Sequence, residues 1–273
     1  MIRIAVSGAA GRMGKTLIQA IANNSETQLV AATENITSNF LGVDAGELAG
    51  IGCNKILISN NKELKYQDFD VLIDFTTPSA TLTHVAICKE SGKRLVIGTT
   101  GLNDEDKAQI AEAATRIPIV LAPNMSIGVN LCFKLLEIAA QIIGAESDIE
   151  IIEAHHNKKT DAPSGTALRM GEVIANKLGY DLKQIAVYGH GREGHIGPRI
   201  KETIGFATIR AADIAGEHSV WFAMEGERVE INHKALNRLN FARGALRAAR
   251  WLMQHQRGLY DMQDVLGLKT YPS

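Results

Sequence analysis

The chain has 273 residues, 22% of them charged, with a formal net charge of −1, a size that buries one large core or two ordinary ones. So balanced a charge argues against recruitment to nucleic acid or to a membrane surface by bulk electrostatics. The three cysteines, Cys53, Cys88 and Cys132, are odd in number and lack metal or redox spacing, which fits reduced thiols in a cytoplasmic setting.

No apolar run is expected to reach the length that spans a bilayer, and the N-terminal Ile4-Ala5-Val6 is cut short by Ser7, Gly8 and Gly11. Residues 2–6 read as a strand. After Gly8-Ala9-Ala10-Gly11-Arg12-Met13-Gly14, the apolar Leu17, Ile18 and Ile21 recur at helical spacing. A strand, a glycine turn and a helix in that order let the backbone approach a diphosphate, which rests on the helix N-terminus. Gly8, Ala9, Ala10, Gly11, Arg12 and Met13 are the candidate contacts. The spacing, G-x-x-G-x-x-G, is one residue longer in its first half than the commonest dinucleotide fingerprint. A second strand over 29–33 ends at Glu34, twenty positions after Gly14, where a ribose-binding carboxylate is expected, with Asn35 beside it.

Two other readings share these residues. One is a turn with no ligand. The other is a phosphate-binding P-loop, Ala9 to Gly14-Lys15-Thr16, with Val71-Leu72-Ile73-Asp74 as its metal-holding strand end. That scheme begins on Ala9 in place of glycine and gives Glu34 nothing to do.

From 37 to 65 periodicity is poor, so a long connection is expected, with 56–58 as a short strand. Alternation then resumes, with strands at 71–75, 95–97 and 119–121 and helices at 78–91 and 104–115, the rhythm of a doubly wound parallel sheet. Ligands of such sheets lie beyond the carboxyl ends of the strands. That rule nominates the loops Phe75-Thr76-Thr77, Gly98-Thr99-Thr100 and Ala122-Pro123-Asn124-Met125. Singly, each is an ordinary connection.

A helix over 127–143 carries Leu131, Leu135, Ile138 and Ile142 as an expected core-facing stripe. Beyond it, residues 150–167 put His155, His156, Lys158, Lys159 and Asp161 into seven positions, followed by Pro163 and a helix capped by Ser164. Neighbouring cations repel one another unless an anion compensates them, and a helix N-terminus is itself an anion site. A small polyanionic ligand is implied, the bland reading being a solvated polar loop. Residues 189–199, glycine-rich and cationic, read as a substrate lid. Strands follow at 204–211, 218–224 and 229–233, sequential and hairpin-like, hence antiparallel, and a last helix at 240–256 is expected to pack on the first domain. The fold expected is α/β: a Rossmann-like domain, 1–126, completed by 236–273, and a substrate domain, 127–235, of α+β type with a mainly antiparallel sheet.

The pattern Glu150-x-x-Glu153-x-His155-x-x-x-Lys159-x-Asp161-x-Pro163-Ser164-Gly165-Thr166-Ala167 resembles the signature of the dihydrodipicolinate reductase family, nicotinamide-dependent enzymes of bacterial lysine biosynthesis. The resemblance extends over essentially the whole chain, including the Gly8–Gly14 turn, Gly98-Thr99-Thr100 and the Ala122-x-Asn124-x-Ser126 turn. It implies His155 as the proton donor with Lys159 as a further acid, while the residues themselves leave open which of the two gives the proton. It implies His156, Gly165 and Thr166 as ligands of a small dicarboxylate, and a homotetramer built through the second domain. Many relatives have arginine after the ribose-binding acid; Asn35 stands there in this chain, so NADH is expected to be favoured over NADPH. A dinucleotide-sensing regulator would keep the first domain and need no His155–Lys159 pair; another two-domain dehydrogenase of amino-acid metabolism would be told apart by the substrate with which it oxidises the nicotinamide.

Overall fold

Seven parallel strands form the first sheet, in the order β12 (Gly258–Tyr260), β6 (Pro118–Leu121), β5 (Arg94–Ile97), β4 (Val71–Asp74), β1 (Ile2–Ser7), β2 (Thr27–Glu34) and β3 (Ile58–Asn60). The computed structural model describes residues 1–189, 194–195 and 197–270. It divides into one unit of Met1–Ile127 with Arg238–Lys269 and another of Gly128–Asn237.

In the first unit, β1 (Ile2–Ser7), α1 (Arg12–Ala22), β2 (Thr27–Glu34), a short α2 (Ala45–Ala49) and β3 (Ile58–Asn60) are followed by β4 (Val71–Asp74) and α3 (Pro78–Ser91). Then come β5 (Arg94–Ile97), α4 (Asp104–Ala114) and β6 (Pro118–Leu121). The central strands β1, β4, β5 and β6 are short, largely apolar runs buried on both faces, as βαβ crossovers require. Leu17, Ile18 and Ile21 of α1 pack one face, while Val85 and Cys88 of α3 with Ile110 of α4 pack the other.

The poorly periodic stretch after β2 is organised by one side chain. Asp44 accepts hydrogen bonds from the backbone N–H groups of Gly46, Glu47, Asn54 and Lys55. Burial alone would raise its carboxyl, but these bonds bring it to about 2. The strand there is 58–60, two residues later than expected, because Ile58 is the residue that enters the core.

The second unit begins with α5 (Ile127–Ile143) and β7 (Asp148–His155), and continues with α6 (Gly165–Leu178), α7 (Leu182–Ile185) and β8 (Ala186–Val187). Strands β9 (Ile204–Arg210), β10 (Gly216–Met224) and β11 (Glu227–Ala235) complete it, in sheet order β11-β10-β7-β9-β8. The sheet is mixed. β10 pairs antiparallel with β11 and β7, but β9 runs parallel to both β7 and β8. Its link to β7 is a helical crossover and not a hairpin, so β9 departs from the pairing expected of 204–211, while β7, β10 and β11 keep the antiparallel order expected.

Two expectations about α5 fail. Ile127–Glu146 is long and apolar enough to cross a membrane, with a mean hydropathy of 1.5, because Gly144–Glu146 extends the helix by a tight turn. Here α5 packs on the second sheet and carries the ion pair Lys134–Glu137 at 3.1 Å. Its inward face is Val129, Cys132, Leu136 and Ala140, whereas Leu131, Leu135 and Ile142 are exposed at 45, 42 and 71%. In a helix apolar nearly all round, periodicity does not select the buried face.

The chain returns to the first unit with α8 (Leu239–Leu252), β12 (Gly258–Tyr260) and α9 (Met262–Val265). α8 ends four residues earlier than expected, at a turn where the His255 ring stacks on Trp251 at 3.6 Å. β12 then pairs with β6 and forms the edge of the sheet.

Candidate active site

At the carboxyl end of β1, Gly8 turns the chain at φ +71, in the left-handed region where glycine is favoured. A Cβ on Gly14 would lie 2.1 Å from the Gly8 carbonyl oxygen, so α1 approaches the turn as closely as glycine alone permits. The loop's own N–H groups are largely used. Those of Gly8 and Ala9 donate to the Thr33 carbonyl, that of Gly11 to the Gly8 carbonyl, and that of Ala10 to Glu34 Oε1 at 2.9 Å. First-turn donors of α1, at Arg12 and Met13, are left by helix geometry for an anion. Glu34 ends β2 directly beside this turn, and Asn35 is exposed next to it with Oδ1 accepting from the Thr37 N–H and hydroxyl. A diphosphate at the helix terminus and a ribose at the carboxylate fit this arrangement, so the residues present suit a nicotinamide dinucleotide.

The other nominated loops divide into outward and inward residues. Thr100, Pro123 and Asn124 are at least partly accessible, whereas Ala9, Ala122 and Met125 are core side chains that can offer a ligand only their backbone. The buried hydroxyl of Thr99 serves the protein, receiving bonds from Thr81 Oγ1 at 2.8 Å and the Thr76 N–H at 3.1 Å. Gly98 lies under the Phe75 ring, where a Cβ would come within 2.2 Å of it.

The P-loop reading fails. Asp74 is fully buried and bonded to His84 and Thr76, Thr16 Oγ1 donates to the Arg12 carbonyl, and Lys15 lies over the Phe40 ring at 5.9 Å. None is placed to hold a nucleotide-bound metal.

In the second unit, β7 alternates Ile149, Ile151 and Glu153 toward the core, so a carboxylate occupies an inward strand position. It is saturated with donors. His155 Nδ1 lies 2.6 Å from Oε2, Arg210 spans both oxygens at 2.8 Å, and the Ser164 N–H and Thr208 Oγ1 reach Oε1 at 3.1 and 3.2 Å. Burial would raise the Glu153 carboxyl, but the bonds from His155 and Arg210 hold it at about 2. A carboxylate that stays ionised fixes Nδ1 of His155 as a donor and leaves Nε2 as the reactive nitrogen. Nε2 sits beside Gly216, at φ +154, where a Cβ would come within 3.1 Å of it.

His156 and Lys159 follow on the same loop, with Lys159 Nζ 2.7 and 2.8 Å from the two oxygens of Asp161, whose carboxyl the ammonium lowers. The cationic cluster is therefore compensated within the protein by Glu153 and Asp161, which softens the repulsion read from sequence. Ser164 caps α6 by accepting from the Ala167 N–H at 3.1 Å, Thr166 is partly exposed, and the space in front of Gly165 is open. Ser164 Oγ also meets Nε2 of buried His218 at 2.8 Å. Burial, with the charge of His155 at a ring distance of 5.3 Å, lowers His218 to about 4.

Four residues of this site were not singled out as functional by sequence reasoning: Glu153, Arg210, Gly216 and His218. Glu153 alone had a signal, a carboxylate in phase with the apolar positions of its strand. The lid expected over 189–199 falls partly on residues 190–193 and 196, which lie outside the described residues. Arg199 of that stretch is bound at the far end of β7 from His155, pairing with Glu150 and donating to the carbonyls of Ile149 and Thr203.

Comparison with known proteins accords with both halves. The family model described as dihydrodipicolinate reductase, N-terminus, matches residues 2–125, and that of the C-terminus matches 128–266. A dipicolinate-bound dihydrodipicolinate reductase from Paenisporosarcina sp. TG-14 is 26% identical, with a TM-score of 0.75 over 97% of this chain and 98% of that one. Two more distant structures share the fold. A probable dehydrogenase from Thermotoga maritima is 12% identical (TM-score 0.62, 97% and 92% covered), and aspartate semialdehyde dehydrogenase II from Vibrio cholerae is 11% identical (TM-score 0.55, 93% and 99% covered). With both of its domains matched along nearly their whole length, the chain belongs to the dihydrodipicolinate reductase family, NAD(P)H-dependent oxidoreductases of lysine biosynthesis.

Proposed function

We propose that the second unit binds 4-hydroxy-tetrahydrodipicolinate through the N-terminus of α6 and the His155–Lys159 loop, with His155 and Lys159 as the acid groups of its reduction. The observation that carries this reading is the clamp on His155: Glu153 holds Nδ1 at 2.6 Å, so Nε2 is the nitrogen that can hand on a proton. Gly165 and Thr166 would receive a carboxylate on first-turn N–H groups, with His156 beside them. The dipicolinate bound by the Paenisporosarcina enzyme supports a planar dicarboxylate as ligand.

The nicotinamide supplies a hydride. Loss of the 4-hydroxyl as water would first give a carbon–carbon double bond conjugated to the imine, and the electron-rich product left by hydride addition to that double bond would take its proton from Lys159 or His155. Acid assistance of this kind contributes about 10²–10⁴-fold, and a dicarboxylate held at both ends adds orientation. Gly8, Ala9, Ala10, Gly11, Arg12, Met13, Glu34 and Asn35, with the loops 98–100 and 122–125, would hold the cofactor. NADH is the favoured form, because Glu34 accepts from ribose hydroxyls and repels a phosphate there, while Asn35 brings no charge to offset it. The family further implies a homotetramer through the second sheet, whose strand β11 is exposed along most of its length. Light scattering on the purified protein measures that directly.

The test of the activity is oxidation of NADH and NADPH by the purified protein with enzymatically generated substrate. Turnover is expected with both and greater kcat/KM with NADH. Silence with verified substrate would overturn the reading.

A further inference from the structure

The carboxyl ends of four parallel strands in the first unit are joined by one buried chain of hydrogen bonds. Asp74, the last residue of β4, meets Nδ1 of His84 on α3 at 2.9 Å through Oδ2. The other ring nitrogen, Nε2, lies 3.0 Å from Oγ of Ser7, the last residue of β1 and the one before Gly8. Ser7 in turn receives the Thr33 hydroxyl of β2 at 3.3 Å. On its second oxygen, Asp74 accepts from the Thr76 N–H at 3.0 Å and the Thr76 hydroxyl at 2.6 Å, and the Thr76 N–H also reaches Thr99 beyond β5.

Serine, imidazole and carboxylate stand here in the order of a hydrolytic triad. Exposures of 1, 0 and 0% leave Ser7 out of reach of any substrate. Nor is the group explained by core packing alone, since a buried Asp and His cost desolvation that apolar side chains of the same volume would not. What the chain does connect is the glycine turn, through Ser7, with the loops after β4 and β5. These are the segments whose relative placement defines a dinucleotide site.

We infer that Asp74 and His84 are positioning residues of the cofactor site, holding the turn at Gly8 and the loops at 75–77 and 98–100 in one fixed relation. The inference rests on the assignment of that edge to the nicotinamide cofactor. Neither residue touches the ligand; they act through Ser7, Thr76 and Thr99. Their removal therefore weakens cofactor binding while leaving the dicarboxylate site of the second unit as it was.

The experiment uses the full chain and two readouts: NADH titration by fluorescence, and competitive inhibition by dipicolinate at saturating NADH. Asp74→Asn, nearly isosteric but unable to accept from both His84 and Thr76 as the carboxylate does, should raise the Kd and KM for NADH by about tenfold, the weight of one charge-assisted bond. Its kcat at saturating NADH should stay within about twofold of the parent and dipicolinate inhibition should be unchanged, a split that general destabilisation does not produce. Ser7→Ala, which removes the links to His84 and Thr33 together with the bond to Asn61 Oδ1 at 3.2 Å, should raise the Kd by about threefold and serves if Asp74→Asn does not fold. Unchanged NADH affinity in a folded variant would overturn the inference, as would equal loss of NADH and dipicolinate binding. If the parent itself binds neither NADH nor NADPH, it is the cofactor assignment that fails.

Discussion

Each unit carries, at or near the end of a core strand, a carboxylate bound to an imidazole: Asp74 with His84 in the first, Glu153 with His155 in the second. The chemistry of the pairs is the same and their surroundings are not. His84 is fully buried and bonded at both ring nitrogens, whereas the His155 side chain keeps 12% of its surface and is bonded through Nδ1. A sealed pair can only fix geometry; an open one can also pass a proton. Which role a carboxylate–imidazole pair has is thus decided by what meets the second nitrogen, and neither residue type nor distance reveals it.

The strongest test of this contrast is Lys159→Ala. The side chain belongs to the open network, so turnover should fall by about 10²–10⁴-fold with NADH affinity unchanged. Collapse of NADH binding with normal turnover at saturation would remove Lys159 from the substrate chemistry. Next is Glu153→Gln, which leaves Arg210 facing a neutral amide and frees Nδ1 of His155 to change tautomer. Turnover should drop about a hundredfold, and removing one partner of a buried ion pair should cost about 3–5 kcal/mol of stability in urea. A stable variant with full turnover would show that the clamp does not orient His155.

Acid sharpens the comparison further. His218 has an ordinary value of 6.5 and a folded value of about 4, so the fold favours its neutral form. Its contribution is complete above pH 6.5 and is lost as pH falls toward 4. Glu153, ordinarily 4.5 and held at about 2, contributes fully above pH 4.5 and loses its share as pH falls toward 2. Each is worth about 3 kcal/mol in its window, by linkage. Hydrogen exchange resolved by peptide, corrected for intrinsic rate, should therefore show β7 and β10 losing protection between pH 6.5 and 4. Constant protection there would mean that His218 is not held neutral by the fold.

The smallest effect is at the rim of the first unit. Asn35→Arg should shift the ratio of kcat/KM for NADPH over NADH upward by about tenfold, since a charge-assisted bond to phosphate replaces a neutral amide. A parent that already prefers NADPH, or an unmoved ratio, would transfer phosphate recognition to Lys15 or Arg12.

How legible these features were follows from the range of the forces behind them. Helix α3 runs over 78–91 as expected because its punctuation is local, Pro78 in the first turn and Gly92 in the left-handed cap. β12 was not read at all, since the last helix was expected to end at 256 and three residues, Gly258–Tyr260, are too few to alternate; their strand identity comes from pairing with β6. At the site, His155, Lys159 and the Ser164 cap were readable from one contiguous segment. Arg210 was not. It faces Glu153 only because β9 runs parallel to β7 with His155 and Arg210 in register, a long-range pairing that no local pattern in either strand specifies. The exposed side of α5 was misread for the opposite reason: too many apolar residues, and no polar contrast to choose a face.

The discontinuity of the first unit sets the order in which the protein is made. Ala242, Ala245, Leu246 and Ala249 of α8 share a core with Val6, Val96 and Val120 of the sheet, and α8 lies so close to the strand end after β6 that a Cβ on Gly244 would come within 1.7 Å of the Met125 carbonyl oxygen. That helix leaves the ribosome only after Gly128–Asn237, the whole of the second unit. At about 5–20 residues per second, the sheet face that α8 covers waits on the order of 10 seconds with its valines facing water. A nascent chain in that interval offers chaperones an apolar surface whose lifetime is set by the speed of translation, and not by the stability of the finished sheet.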